Sequence, residues 1–143
     1  MLISKLPAQL VVDASPILAA VIGGAACRIF WNAAGREFAT TGWTLEEVKR
    51  YLPRAALKLG FPEEFLQFSL ELLPLHTYDR SFYDKQMAEA FRLIGGRDPK
   101  DVEVLALALA LNCPLWANDK DFTGLGVPCY PTAVLLKVMD SIS

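Results

Sequence analysis

Histidine and cysteine are scarce in this chain of 143 residues, which carries one His, His76, and three Cys, at 27, 113 and 129. A tetrahedral zinc site takes four nitrogen or sulfur ligands, and with no Cys-x-x-Cys pair the sequence argues against one. A Ser-His-Asp triad has a single candidate base in His76, which has no carboxylate partner close in sequence and reads as a structural or surface residue. Three dispersed cysteines suit buried thiols in a reducing cytosol better than a disulfide framework.

Excess charge is also missing. A formal net charge of -2 and a pI near 5.4 argue against strong non-specific nucleic-acid binding by net charge alone. No run reaches the ~18 apolar residues of a membrane span. Asp13 and Pro16 interrupt the apolar N-terminal stretch, so it does not read as a signal peptide, and a cytoplasmic protein without a membrane partner is expected. We find no repeat, low-complexity segment or linker, so the length fits one domain over residues 1–143.

What the chain has in quantity is apolar residues, 53% of the total, and they come in alternating patterns. Leu10, Val11 and Val12 read as a strand ending at Asp13, followed by a helix over 17–22 with Ser15 as N-cap and Pro16 as its first residue. Gly23 and Gly24 end or kink that helix, and residues 25–31 continue it. Residues 37–41 read as a second strand. Thr44 to Glu47 then opens a helix that Pro53 should kink or divide. A helix over 62–73, a strand over 75–77 and a helix from Ser81 to Ile94 follow.

Asp98, Pro99 and Asp101 look like a cap, a first helical residue and a first-turn acid ahead of an apolar helix over 102–111. That helix is apolar almost all round and should be buried against a sheet. Residues 115–117 read as a buried strand, followed by Asn118, Asp119, Lys120, Asp121 and Phe122. A strand over 127–130 and a helix over 133–139, capped by Thr132, complete the pattern. Strands alternating with helices imply an α/β fold, with a mostly parallel sheet of four or five short strands covered on both faces.

In such a sheet Asp13, Glu47, Asp101 and Asp119, with Asp98 and Asp121 nearby, lie past strand ends or in first helical turns, so they converge on one rim. Asp13 has no local structural duty and reads as functional. Glu47 has two readings: the partner of Thr44 in a capping box, or an acid pointing into the crevice, with Glu46 as fallback. Carboxylates ~4 Å apart repel by about 4 kcal/mol at an effective dielectric near 20, which favours a bound cation. With oxygen ligands only, Mg2+ or Mn2+ fits, and such an ion activates water for attack on phosphorus. Lys49, Arg50, Arg97, Lys100 and Lys120 are the basic residues that border this rim.

The order Val-Val-Asp-Ala-Ser, Glu-Glu-Val opening a helix, Asp-Pro-Lys-Asp before an Ala/Leu-rich helix, and Asn-Asp-Lys-Asp-Phe after the next strand resembles the PIN-domain family. The likeness runs from Leu10 to about Met139, and its last motif is the most specific. It implies a three-layer α/β/α sandwich and a Mg2+- or Mn2+-dependent endoribonuclease, with an RNA substrate cut to a 5′-phosphate and a 3′-hydroxyl. Many members are toxins of toxin–antitoxin pairs, so it also implies a homodimer and a small antitoxin partner. By position Asp13, Glu47, Asp101 and Asp119 would be the catalytic and metal-binding acids, with Asp121 a further metal ligand. Ser15, Glu46, Asp98 and Asn118 would be accessory. Members usually carry Thr or Ser where this chain has Ala117. The rival expectation is a PIN-like module that binds RNA or protein with little or no catalysis.

Overall fold

The apolar run at Leu10, Val11 and Val12 forms β1 (Gln9–Val12), the middle strand of a five-stranded parallel sheet. Its order is β3 (Leu75–Tyr78), β2 (Glu37–Thr41), β1, β4 (Leu115–Trp116), β5 (Cys129–Tyr130). Register pairs Leu10 with Phe38 and Val12 with Trp116. This computed structural model describes residues 3, 5–32, 34–96 and 99–142.

Side chains alternate across a strand, so β1 faces two cores. Leu10 and Val12 join Phe38 and Trp116 against α1 (Ala14–Val21), α2 (Ala26–Asn32), α3 (Gly42–Leu59), α4 (Glu63–Leu72) and α8 (Thr132–Ile142). Val11 joins Ala39, Leu115 and Ala117 against α5 (Arg80–Tyr83), α6 (Met87–Ile94) and α7 (Val102–Leu111). The result is the expected three-layer α/β/α sandwich. In the first core Phe30 lies 4.8 Å from Phe38 and 4.9 Å from Trp116, ring centre to ring centre. Such pairs add about 1 kcal/mol each beyond area burial. Helix α7 is buried along most of its length, as its apolar composition requires.

Several local expectations need correction. Helix α1 opens at Ala14, so Asp13 rather than Ser15 occupies the N-cap position, and its side chain makes no capping bond. The Asp13 amide is instead held by the Trp116 carbonyl at 3.0 Å, which extends the sheet ladder one residue further. Gly23, at φ 87°, turns the chain so that α2 is a separate helix, bent 88° from α1. No single helix among the described residues is long and apolar enough to cross a membrane.

Helix α3 opens two residues before Thr44, and its cap is Thr41, whose hydroxyl accepts from the Thr44 amide at 2.8 Å. Thr41 wins because its buried hydroxyl also pairs with that of Thr44 at 2.7 Å, so the Thr44–Glu47 box does not form. Pro53 does not divide α3. The ring lies on an exposed face of the helix, away from the residues that pack into the core.

The segment beginning near Ser81 is not one helix. Helix α5 starts at Arg80, a 3-10 turn covers Asp84–Gln86, and α6 follows. Pro99 opens a 3-10 turn, Pro99–Asp101, and α7 begins only at Val102; Asp98 lies outside the described residues. Strand β5 is two residues long, and Thr132 is the first residue of α8 rather than its cap, because its hydroxyl accepts from the Trp116 indole at 2.9 Å.

Candidate metal centre

The sheet changes direction of progression at β1: β2 and β3 extend to one side, β4 and β5 to the other. Ligand crevices of open α/β sheets form at such a switch, past the carboxyl ends of the strands. Asp13 follows β1 there, and Asn118 to Asp121 follow β4 by one residue. A parallel sheet puts both chain exits on the same rim, so spacing in sequence becomes proximity in space.

Asp101, Asp119 and Asp121 each present a carboxylate oxygen, and these three oxygens lie within 4.8 Å of one another. The 3-10 turn Lys120–Phe122 sets this spacing, because the Asp119 carboxylate accepts from the Asp121 amide at 2.9 Å and Phe122 is buried below it. Asp101 reaches the cluster from the N-terminus of α7 and is only 7% exposed. Unit negative charges about 5 Å apart repel by about 3 kcal/mol at an effective dielectric near 20. An all-oxygen set at this spacing fits a hard divalent cation and offers nothing soft for zinc or copper.

Asp13 and Glu47 stand outside that trio and meet Asp101 differently. All three line a cavity of about 290 Å³, together with Ser15, Tyr51 and Lys100. Asp101 is therefore common to the trio and to the cavity. The Cys129 thiol lies beneath the rim and donates to the Ala117 carbonyl. Burial pushes this thiol up to about 11, and the negative charges of Asp13 and Asp119 add to the effect. One thiol thus feels the acids from both strand ends.

Other residues expected at the site are differently employed. Glu46 pairs with Lys49 at 3.4 Å on the exposed face of α3, which leaves Glu47 as the acid facing the cavity. Lys49 lines a larger groove of about 440 Å³ between α3, α4 and β3, whose walls are mainly leucines. That groove holds one acid, Glu71, and lacks the convergence of carboxylates the chemistry needs. Asn118 spends its amide oxygen on the Thr132 backbone amide at 2.9 Å, tying the end of β4 to α8. Lys120 is exposed on the turn between Asp119 and Asp121, and Arg50 is exposed on α3. Arg97 and Asp98 lie outside the described residues. His76 is exposed on edge strand β3 and contacts the Tyr78 ring at 4.7 Å, a surface role as expected.

Sequence reasoning missed a buried network behind the site. Glu103 is 9% exposed and accepts from the Tyr83 hydroxyl and from Arg80, the latter at 3.1 Å. Burial, then the bond to Glu103 and its negative charge, push the Tyr83 phenol well above its ordinary range. The network pins α5 to the first turn of α7, two residues past Asp101. Its signal was a lone acid inside an otherwise apolar helix. Tyr51 was also missed as a site residue, although it lies one turn after Glu47.

Comparison with known proteins agrees with this fold. A family model described as the PIN domain matches residues 11–138. A comparison with curated proteins finds no sequence match. Among solved structures, VapBC2 from Rickettsia felis, solved bound to a promoter DNA fragment, aligns with a TM-score of 0.62 at 15% identity, over 86% of this chain and 98% of that one. PAE2754 from Pyrobaculum aerophilum aligns with a TM-score of 0.66 at 14% identity, over 92% and 96%. VapC20 from Mycobacterium tuberculosis, described as a toxin that cleaves the sarcin–ricin loop, gives 0.60 at 17% identity, over 82% and 95%. At these identities the structures speak for the fold, and the family model, spanning most of the chain, shows that the chain belongs to the PIN-domain family.

Proposed function

We propose that this chain is a metal-dependent endoribonuclease acting as one domain, and that it serves as the toxin of a toxin–antitoxin pair. The observation that carries the reading is the oxygen trio of Asp101, Asp119 and Asp121 beside the cavity that Asp13 and Glu47 line with Asp101. Family membership supports a nuclease, and the description of one neighbouring fold, VapC20, as a toxin supports the biological setting.

Asp101, Asp119 and Asp121, with Asp13 and Glu47 across the cavity, would hold Mg2+ or Mn2+. When bound, the cation supplies activation of water and neutralises charge on phosphate oxygens. The residues do the rest by position. Asp13, anchored through its amide to β4, and Glu47, one turn into α3, line the cavity that a phosphodiester would enter. Lys100, in the 3-10 turn before α7, gives that phosphate a cationic neighbour. The products would be a 5′-phosphate and a 3′-hydroxyl.

Free thiols at Cys27, Cys113 and Cys129 suit the reducing cytoplasm in which such a toxin would act. The exposed Phe61, Phe65, Phe68 and Leu72 give the α3–α4 hairpin an apolar surface for a small antitoxin and for a second copy.

The test is cleavage of end-labelled single-stranded RNA and DNA by native protein, Asp13→Asn and Asp101→Asn, in Mn2+, Mg2+ or chelator. Metal-dependent RNA cleavage by the native chain alone, at least about 100-fold above either variant, is expected, since each acid touches the reacting centre. Equal cleavage by all three proteins would overturn the assignment. A binding module without turnover is the rival reading, motivated by Ala117, where members usually carry a hydroxyl. Turnover lost with chelator and with Asp13→Asn together rules that module out.

A further inference from the structure

The acid-lined cavity opens onto a second groove of about 250 Å³, which shares Glu47, Tyr51 and Lys100 with it and adds Trp43, Arg50 and Arg54. Five of these six residues come from α3, at positions 43, 47, 50, 51 and 54. Steps of three and four residues put them on one face of the helix, a stripe about 16 Å long from the rise per residue. This stripe is not part of the core: Trp43 is 50% exposed and Tyr51 is 44% exposed. Arg50 and Arg54 are exposed, and among the described residues neither guanidinium has an ion-pair or hydrogen-bond partner.

Folding alone gives no reason for this composition. Indole and phenol faces left in water beside two guanidinium groups make a surface that suits a ligand with flat rings and negative charges. Arg50 and Arg54 against the single acid Glu47 make the groove locally positive on a chain of net charge -2. Single-stranded nucleic acid has both features: bases stack on aromatic faces and phosphates pair with guanidinium groups.

We propose that the groove along α3 holds the stretch of single-stranded RNA leading into the acid-lined cavity. A base stacks on Trp43, a second contacts Tyr51 nearer the acids, and the flanking phosphates lie on Arg50, Arg54 and Lys100. The choice of RNA rests on the nuclease reading above; the groove itself rests on the stripe. It makes α3 the element that favours unpaired targets, because a base in a duplex cannot reach the indole.

The experiment measures anisotropy of a short fluorescein-labelled single-stranded RNA, and of DNA of the same sequence, with the full chain in chelator over a range of salt. Trp43→Ala should weaken RNA binding about 10-fold, within what stacking supplies. Arg50→Ala with Arg54→Ala should weaken it further and reduce the salt slope by about 1.4, the figure for two phosphate contacts on a single strand. Lys137→Ala, at an exposed position of α8, serves as the charge-loss control and should bind as the native chain does. Thermal midpoints check that the variants, all at exposed positions, remain folded.

The groove is overturned if the native chain binds no RNA, or if Trp43→Ala and the double arginine variant bind as tightly as the native chain. Tighter binding of DNA than of RNA overturns the choice of polymer. Because this readout needs no turnover, the two readings fail separately. Binding that depends on the stripe without any metal-dependent cleavage sinks the nuclease and keeps the groove; intact cleavage with stripe-independent binding sinks only the groove.

Discussion

At the scale of single residues, Asp101 has the most demanding position. It is the buried acid that joins the carboxylate trio to the cavity containing Asp13 and Glu47. Local pattern assigns Asp98, three residues earlier, to the cap and Asp101 to the first turn, and only the family resemblance singles out Asp101 as a metal ligand. Two further residues show burial acting on chemistry. The thiols of Cys113 and Cys129 are both pushed up to about 11, chiefly by burial. A raised thiol pKa means less thiolate at a given pH, and the thiolate is the reactive form. Near pH 8 the native chain should therefore alkylate at these two positions about 200-fold more slowly than the urea-unfolded chain, whose thiols titrate near 8.5. Timed iodoacetamide labelling read by peptide mass spectrometry checks this, and equal rates in the two states would contradict the burial account.

At the scale of elements, the sheet was legible because β1 and β4 are apolar runs closed by acids or turn residues, while β2 and β3 are rich in Thr and aromatic residues and bounded by Gly, Pro or Asp. Strand β2 fell on its expected residues, and β1, β3 and β4 came within a residue or two. The helix starts were not legible, because a cap depends on which hydroxyl the tertiary fold aims at the free amides. Thr41 belongs to β2 and caps α3 from the strand, a role that a search for Ser or Thr just before an amphipathic run assigns to Thr44. The two readings differ in stability. Thr41→Val removes the bond to the Thr44 amide and strands the Thr44 hydroxyl, so it should cost about 1–2 kcal/mol in urea unfolding. Glu47→Ala, which a capping box would penalise by a similar amount, should change metal-free stability by less than about 0.5 kcal/mol, because Glu47 faces the cavity. If the two substitutions cost the same, Glu47 would regain a capping role and lose its claim to the site.

At the scale of the molecule, fold and site share one cause. Parallel strands that are apolar on both faces, as β1 and β4 are, need helices on both sides, and that arrangement carries every strand exit to the same rim. The acids were therefore predictable as a group, whereas the separation of the trio from Asp13 and Glu47 depends on the Asp119–Asp121 turn, a local Asx turn that the tertiary fold aims at Asp101. Gathering these carboxylates costs the folded chain repulsion that the unfolded chain largely avoids. A divalent cation that binds only the assembled site offsets that cost and adds RT ln(1 + [L]/Kd), about 2.7 kcal/mol at a concentration 100 times Kd. For a chain of this length that is a rise of roughly 5–10 °C in thermal midpoint. Asp119→Asn discriminates between causes, because the amide oxygen can still accept from the Asp121 backbone while the charge is gone. In chelator its midpoint should equal or exceed that of the native chain, because one repelling charge is removed. In Mn2+ or Mg2+ most of the rise should be lost, because a ligand is removed. Added sodium chloride should narrow the chelator difference by screening, since Asp119 is exposed. Differential scanning fluorimetry of both proteins across metal and salt reads all three. A variant less stable than the native chain in chelator, yet equally stabilised by metal, would mean that Asp119 shapes the turn and leaves the cation to the other acids.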